Sequence, residues 1–268
     1  MGAVNPNRLR WGAIAWLLTL QFFVMEAIAQ ARYEGAYSRA DDVISALGAA
    51  ESAARQVMNA SFVVQAALIL GGALLLRPVL SRGAGAVARV LLVASALGVL
   101  LVGVFPTDGN ATMHAIGAVL YLVGGGLGLI ALAYVVRPRS EALGTTLAVL
   151  GLIGTAATVF FLTGVTGYLG EGGTERAAAY PVPVGLALAG VLLWRLGGAA
   201  AGDADTADRV SRREERERAR AERVARERAR DEALTAGPGG QRARTPREPA
   251  ADEIDAEDPW TSPGRRRD

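Results

Sequence analysis

The stretch MHAIGAVLYLVGGGLGLIALAYVV, residues 113–136, contains no Asp, Glu, Lys or Arg and decides the fold class. A helix needs about 20 mainly apolar residues to cross the hydrocarbon core of a bilayer. Surface helices of soluble proteins keep a polar face toward water, whereas this stretch is apolar on every side. It therefore predicts a transmembrane helix.

Five more stretches have a similar length and apolar character. Together with residues 113–136 they predict an all-α fold, a polytopic six-helix transmembrane bundle within residues 1–198. Beyond the bundle we predict a charged cytoplasmic helix at residues 199–234 and a disordered tail at residues 235–268. The five further spans are residues 9–31, 57–76, 86–105, 142–165 and 180–196.

The composition divides the chain into two parts. Up to about Gly198 the residues are mostly Ala, Leu, Val and Gly, and beyond it they are mostly Arg, Glu, Asp, Pro and Ala. The formal net charge of +2 therefore describes neither part. The chain has no Cys, which excludes thiol catalysis, disulfides and thiolate metal sites.

Arginine is concentrated in alternate loops, and this asymmetry predicts the orientation of the bundle. Loops rich in Arg stay on the cytoplasmic side of a membrane. Both termini should therefore be cytoplasmic, and the turn within residues 103–121 should be external. The arginines that carry this prediction are Arg8, Arg10, Arg77, Arg82, Arg89, Arg137, Arg139 and Arg195.

The first span also has a second interpretation. Arg8 and Arg10, followed by an apolar run and Ala29-Gln30-Ala31, resemble a cleavable signal peptide. The length and bulk of the run, and Glu26 within it, favour a retained helix. The other five spans keep their orientation in either case.

Polar side chains are concentrated near the predicted external ends of the spans. An ionised carboxylate such as Glu26 inside a span is costly unless it is paired or hydrated, so it indicates a functional site. We expect Glu26 to face the bundle interior, near at least one of His114, Asn59, Arg176 or Tyr180. Interhelical hydrogen bonds, helix caps and interfacial aromatic contacts are the structural alternatives. The candidate ligand-binding residues are Glu26, Asn59, Asp108, His114, Tyr121, Glu175, Arg176 and Tyr180.

Four segments, taken in order, resemble one known family. They are YSRADDVISALG at residues 37–48, VMNASFVVQAALILGGALLL at residues 57–76, GVFPTD at residues 103–108 with His114, and GTERAAAYP at residues 173–181. Over about residues 9–198 the chain resembles DUF998, a family of bacterial and archaeal membrane proteins of unknown function. The resemblance implies six helices and a group of polar residues on the outer face, but no reaction. A multi-pass protein of the bacterial inner membrane is the expected location.

One position departs from the pattern of that family. Its members usually have an acidic residue or Asn directly before the Leu-Gly pair, where this chain has Ala46 before Leu47-Gly48. The resemblance therefore implies no role for Ala46.

The segment RVSRREERERARAERVARERARDEAL, residues 209–234, places Arg and Glu at spacings of three and four. Such pairs stabilise an exposed helix. The segment has almost no apolar stripe, so a strong coiled coil is not expected. Its acidic residues dilute the Arg, which argues against nucleic-acid binding. The predicted partners are therefore membrane lipids and a cytosolic protein that binds the tail.

Three hypotheses for the function follow. The leading one is an outward-facing polar pocket that binds a small molecule or a lipid headgroup. One alternative is a membrane-embedded hydrolase or transferase that uses His114 and a carboxylate for acid–base chemistry. The other is a non-catalytic scaffold that recruits a cytosolic partner through its tail. The sequence identifies no cofactor, and a single His makes zinc binding with Asp108 and Glu26 a poor hypothesis.

Overall fold

The computed structural model describes residues 5–236, without the side chains of residue 6, of residues 196–208 and of residues 235–236. Within these residues six helices are long and apolar enough to cross a membrane, and no strand is formed. This confirms the predicted all-α bundle with six spans. The spans are Asn7–Ala31, Arg55–Leu75, Ala84–Val104, Ala111–Val136, Glu141–Leu162 and Gly170–Arg195.

Two of the spans are built from two helices each. The first consists of α1 (Pro6–Leu17), a 3-10 turn (Leu18–Leu20) and α2 (Gln21–Ala31). The sixth consists of α7 (Gly170–Ala179) and the first turns of α8 (Pro181–Ala236). The four spans between them are α3 (Arg55–Leu75), α4 (Ala84–Val104), α5 (Ala111–Val136) and α6 (Glu141–Leu162).

Side-chain caps fix where α5 and α6 begin. Asn110 Oδ1 accepts a hydrogen bond of 3.1 Å from the Met113 N–H, and Ser140 Oγ accepts one of 3.3 Å from the Leu143 N–H. Each cap satisfies an N–H group that has no partner inside the first turn of its helix. The turn before α5 is therefore short, and α5 returns directly beside α4.

Glycines allow α4 and α5 to pack closely. These two helices make extensive contact with each other. A Cβ added to Gly98 in α4 would lie 2.5 Å from Gly117 O in α5, and a Cβ on Gly117 would lie 2.7 Å from Gly98 O. Small residues of this kind let two membrane helices approach until their backbones touch. The pair Gly98 and Gly117 therefore sets the position of α5, which carries His114 and Tyr121.

The sixth span begins about ten residues before the predicted start at residue 180, because α7 begins at Gly170. The sequence suggests a later start since Pro181 and Pro183 suit the first turn of a helix. Glu175 and Arg176 therefore lie inside the span and not before it. The span is the most buried of the six. A Cβ on Gly190 would lie 2.7 Å from Ala13 O, so α8 packs tightly on α1.

Residues 32–54, which we call the cap segment, cover one end of the bundle. The segment contains a short 3-10 helix (Ile44–Gly48), and an isolated antiparallel bridge joins Tyr33 to Ser52. Leu47 is fully buried and Ile44 is nearly so. These apolar side chains anchor the segment on the helices. We call this end of the bundle the capped end, and the Arg distribution predicts that it is external.

The charged tail is helical up to Ala236. The described tail side chains are exposed, and Arg213 Nε lies 3.0 Å from Glu217 Oε1. Pairs at this spacing stabilise a solvated helix by a few tenths of a kcal/mol each. The disorder predicted for residues 235–268 falls, from residue 237 onward, outside the described residues.

The orientation of the capped end can be measured by cysteine labelling. The chain has no Cys, so Ser81→Cys and Asp108→Cys each introduce a single thiol at an exposed position, at opposite ends of α4. From the Arg asymmetry we expect a membrane-impermeant maleimide to label Asp108→Cys in intact cells and not Ser81→Cys. Permeabilised cells, in which both should react, are the control. Labelling of Ser81→Cys alone in intact cells would contradict cytoplasmic termini.

Candidate binding site at the capped end

Glu26 and Arg176 form an ion pair inside the capped end. Arg176 Nε lies 3.0 Å from Glu26 Oε1, and the exposed fractions of the two side chains are 7% and 2%. The Tyr180 hydroxyl lies 2.8 Å and 2.7 Å from the two carboxylate oxygens, and Gln30 Nε2 donates to Oε1 at 2.9 Å. The structure thus brings Glu26, Arg176 and Tyr180 together, with Glu26 facing the bundle interior.

Arg176 also holds the cap segment. Its Nη1 donates to the carbonyl oxygens of Arg39 at 2.7 Å and Asp42 at 2.8 Å, and its Nη2 donates to the Tyr37 hydroxyl. A buried guanidinium is stable only when its charge is paired and its N–H groups are hydrogen-bonded. These contacts satisfy that requirement. The guanidinium therefore binds acceptors of the protein itself and not a ligand. We call this group, with Glu26, Tyr180 and Gln30, the Glu26–Arg176 network.

Glycines of α7 make the close approach of the cap segment possible. Gly170 has a φ of 72°, a backbone conformation that favours glycine. A Cβ on Gly170 would overlap the Ala40 carbonyl oxygen, and a Cβ on Gly172 would overlap the Asp42 carbonyl oxygen. The backbone of the cap segment therefore lies directly on α7, within reach of Arg176.

Tyr37 lies in the cap segment and links it to Arg176. Burial raises the pKa of the Tyr37 hydroxyl above its ordinary value, although the nearby Arg176 opposes the shift. The hydroxyl therefore keeps its proton at physiological pH. It can accept from Arg176 while it donates to Val43 O, which lies 3.1 Å away.

A small cavity lies next to this network, and Glu175, His114 and Tyr121 line it together. Its volume is about 30 Å³. Since about 10–15 Å³ is enough for one water molecule, the cavity admits a water-sized group but not a whole lipid headgroup. Ile44 and Ser45 of the cap segment line one side. The apolar lining is Phe22, Phe62, Val99, Val102, Ala118, Leu122 and Ala179.

His114 presents an acceptor nitrogen in its neutral form. Its Nδ1 lies 2.9 Å from the Phe105 carbonyl oxygen. A carbonyl oxygen only accepts, so Nδ1 carries the hydrogen, and Nε2 of the neutral ring holds the lone pair. In the described part of the chain, no hydrogen-bond partner faces Nε2. The imidazole is therefore free to accept a hydrogen bond or a proton.

Tyr121 replaces a hydrogen bond that a proline removes from the sixth span. In a regular helix the Ala179 carbonyl would accept from the N–H of residue 183, but Pro183 has none. The Tyr121 hydroxyl lies 3.4 Å from Ala179 O and donates to it. Its proton is thus committed to the protein. Its oxygen faces the buried amide of Gln65 and has one further acceptor position for the cavity.

Glu175 holds the cap segment with one carboxylate oxygen. Its Oε2 accepts from the Ile44 N–H, at the start of the 3-10 helix. Across residues 5–236, no ion pair joins Glu175 to a basic side chain. The carboxylate is partly buried beside the cavity. Its charge therefore lacks a direct counter-charge.

The remaining two candidates lie apart from both groups. Asn59 Nδ2 donates to Gly48 O at 2.9 Å and so fastens the cap segment to α3. Asp108 is exposed in the turn before α5 and does not line the cavity. Among the described side chains, no cluster of three His, Asp or Glu could hold a metal ion. The combination of His114, Asp108 and Glu26 is accordingly not brought together.

Besides Gln30 of α2, three side chains of the cap segment were missed as candidates, namely Tyr37, Arg39 and Ser45. Arg39 Nη2 donates to the Tyr180 hydroxyl at 2.6 Å, and Ser45 lines the cavity. All three belong to YSRADDVISALG, the segment on which the family resemblance partly rests. That segment was therefore the signal that could have identified them.

Comparison with known proteins gives one match. The model of a family described as "Protein of unknown function (DUF998)" matches residues 16–194. The chain belongs to the DUF998 family. Every residue of the Glu26–Arg176 network and of the cavity lies inside the matched region of this DUF998 protein. No curated protein and no solved structure matches the chain.

Proposed function

We propose that this DUF998 protein binds the polar end of a small molecule or a lipid headgroup in the cavity of its capped end. The observation that carries the proposal is the convergence of Glu175, His114 and Tyr121 on one cavity with otherwise mainly apolar walls. A mainly apolar pocket with a few converging polar groups is typical of a ligand site. The spans make the protein a multi-pass membrane protein.

In this proposal the Glu26–Arg176 network and the polar residues of the cavity have different roles. The oxygens of Glu26 accept from Arg176, Tyr180 and Gln30, so the Glu26–Arg176 network holds the fold together. The cavity has an unpaired carboxylate and an imidazole nitrogen without a partner, so it is the part that binds. Of the eight candidates from the sequence, Glu175, His114 and Tyr121 are therefore the proposed ligand contacts.

The rest of the ligand requires movement of the cap segment. Ile44 and Ser45 close the cavity, and the bonds of Asn59 to Gly48 and of Glu175 to Ile44 keep them in place. A ligand larger than a water-sized group enters when these contacts open together with the bonds of Arg176 to the same segment. Under the proposed orientation, with both termini cytoplasmic, that opening faces the external side.

Acid–base chemistry is a second candidate, because His114 and Glu175 line the same cavity. A neutral imidazole with a free Nε2 can accept a proton from a bound substrate, and a carboxyl group can return one. Ser45 lines the cavity as well, so a hydroxyl group is present there. An enzyme of this kind would lose turnover, but keep its ligand, when His114 is replaced by Gln.

The proposed location is the inner membrane of a bacterial cell. The tail would then be in the cytosol, where its exposed helix offers Arg and Glu side chains to a protein partner. The scaffold alternative rests on this helix alone. Mixed charge is a poor basis for nucleic-acid binding, so we propose none.

Native mass spectrometry of the detergent-extracted protein tests binding. We expect a co-purified small molecule or lipid on the wild type, and its loss in Ala118→Val, whose added methyl groups fill the cavity. Ala115→Val is the matched control, because Ala115 lies on the same helix but is exposed. Absence of any bound mass on the wild type, or equal occupancy in Ala118→Val, would contradict the proposal.

A further inference from the structure

The polar atoms available to the cavity are hydrogen-bond acceptors. Glu175 Oε1 is a carboxylate oxygen, and in the neutral His114 ring Nε2 carries the lone pair, because Nδ1 donates to Phe105 O. Tyr121 donates its proton to Ala179 O, so its oxygen offers lone pairs. Among the side chains that line the cavity, the Ser45 hydroxyl alone can donate as well as accept, and the nearby Gln65 amide is directed at the Tyr121 oxygen.

The charge of the cavity favours a cationic ligand that donates hydrogen bonds. Glu175 has no ion-pair partner in the described chain, and the nearest guanidinium, Arg176, is occupied by Glu26, Tyr37 and backbone carbonyls. A carboxylate surrounded by apolar walls is costly unless a cation or a proton joins it. An anionic group such as a phosphate would add a second negative charge, so it is disfavoured.

The size of the cavity restricts the cation further. About 30 Å³ is enough for a group as large as one water molecule, and it does not admit the three methyl groups of a trimethylammonium. A primary ammonium is similar in size to water and has three N–H donors and no acceptor. It matches both the number and the character of the groups contributed by Glu175, His114 and Tyr121.

We propose that the cavity takes a primary ammonium group, in an extension that rests on the binding function proposed above. The ammonium pairs with Glu175 and donates to His114 Nε2 and to the Tyr121 oxygen. A free small amine and the headgroup of an ethanolamine phospholipid share this chemistry. Both present a primary ammonium on a short chain that can extend from the cavity when the cap segment opens.

Titration calorimetry of the purified full-length protein tests recognition of the amine. Methylammonium and ethanolamine should bind the wild type, and tetramethylammonium, which has no N–H donor, should not. Glu175→Gln should weaken methylammonium binding at least roughly tenfold, because the charged acceptor is lost while the shape is kept. Glu171→Gln is the matched control, since Glu171 is exposed one turn earlier on α7.

Melting temperatures in nanodiscs distinguish a lipid headgroup from a free amine as the ligand. If the ligand is a headgroup, ethanolamine phospholipid should raise the melting temperature of the wild type relative to choline phospholipid with the same acyl chains, and Glu175→Gln should remove the difference. If the ligand is a free amine, the two lipids should give equal melting temperatures while methylammonium still binds. Both outcomes support the ammonium site.

Other outcomes would contradict the proposed ammonium site. Equal binding of tetramethylammonium and methylammonium, or unchanged methylammonium binding in Glu175→Gln, would exclude primary-ammonium recognition. If Glu175→Gln does not fold, Tyr121→Phe decides the matter, because it removes one acceptor and keeps the ring; unchanged affinity would count against the proposal. A co-purified ligand without an amine would leave the binding function standing and refute the ammonium alone. A wild type with neither bound mass nor amine affinity would refute both.

Discussion

Replacing Arg176 by Met is expected to destabilise the folded protein by about 3–5 kcal/mol, because Glu26 would lose its buried cation and keep only the exposed Arg39, whose Nη2 lies 3.8 Å from Oε1. Met keeps most of the aliphatic part of the side chain, so the loss should come from the charge and the hydrogen bonds. The cap segment would also lose the bonds to its carbonyls at residues 39 and 42. Thermal unfolding of the purified protein in one detergent measures the effect as a lower melting temperature.

The control for this prediction is Arg55→Met. Arg55 is exposed at the start of α3, and its replacement should leave the melting temperature unchanged. A double variant with Glu26→Gln should lose less stability than the sum of the two single variants, because the partners belong to one ion pair. Strict additivity, or an equal loss in Arg55→Met, would show that the pair does not carry the effect.

Gly98→Leu should cost about 3 kcal/mol or prevent assembly of the bundle. The new side chain would meet the backbone of α5 at Gly117, and backbone atoms cannot rotate away as side chains can. Overpacking of this kind typically costs about 1–3 kcal/mol. We expect Gly98→Leu to reach the upper end of this range, because its side chain would meet rigid backbone. Because α5 carries His114 and Tyr121, the displacement should also reduce occupancy of the cavity.

Gly71→Leu is the matched control. A Cβ on Gly71, in α3, would have no atom within 4 Å, so a larger side chain has room there. We expect a nearly unchanged melting temperature and unchanged ligand occupancy, measured side by side with Gly98→Leu. If the two variants behaved alike, close packing of α4 on α5 would not be what positions the site.

The membrane spans could be predicted from the sequence because one physical requirement governs them. A helix must remain apolar over the thickness of the bilayer, and this length is visible in one dimension. The first five spans accordingly begin and end within three residues of their expected positions. Glu26 could also be expected to find a partner, since an unpaired carboxylate inside a bundle is too costly to keep.

The start of the sixth span could not be read in the same way. The segment from Gly170 to Arg176 is rich in glycine and charge, which indicates a loop when only local properties are considered. The cap segment covers it and supplies carbonyl oxygens to Arg176, so the helix continues through this polar stretch. Every residue type has a backbone carbonyl, so no sequence pattern indicates that the carbonyls of residues 39 and 42 bind Arg176.

The sequence also could not predict which candidates join the Glu26–Arg176 network and which line the cavity. Glu175 and Arg176 are neighbours in the chain, yet one lines the cavity and the other joins Glu26, because adjacent residues on a helix point about 100° apart. Asp108 lies in the turn before the fourth span, and His114 lies in the first turns of that span. Only His114 points inward, since the cap at Asn110 starts the helix just before it.

The contacts of the cap segment determine how quickly a ligand can enter the cavity. Arg176 alone binds the carbonyls of residues 39 and 42 as well as Tyr37, so the segment cannot open by fraying one residue at a time. It has to open as a cooperative unit, and association that awaits a conformational change is slower than diffusion. A ligand under the segment would therefore exchange slowly even at modest affinity. Its residence time would depend on Arg176, a residue that it does not touch.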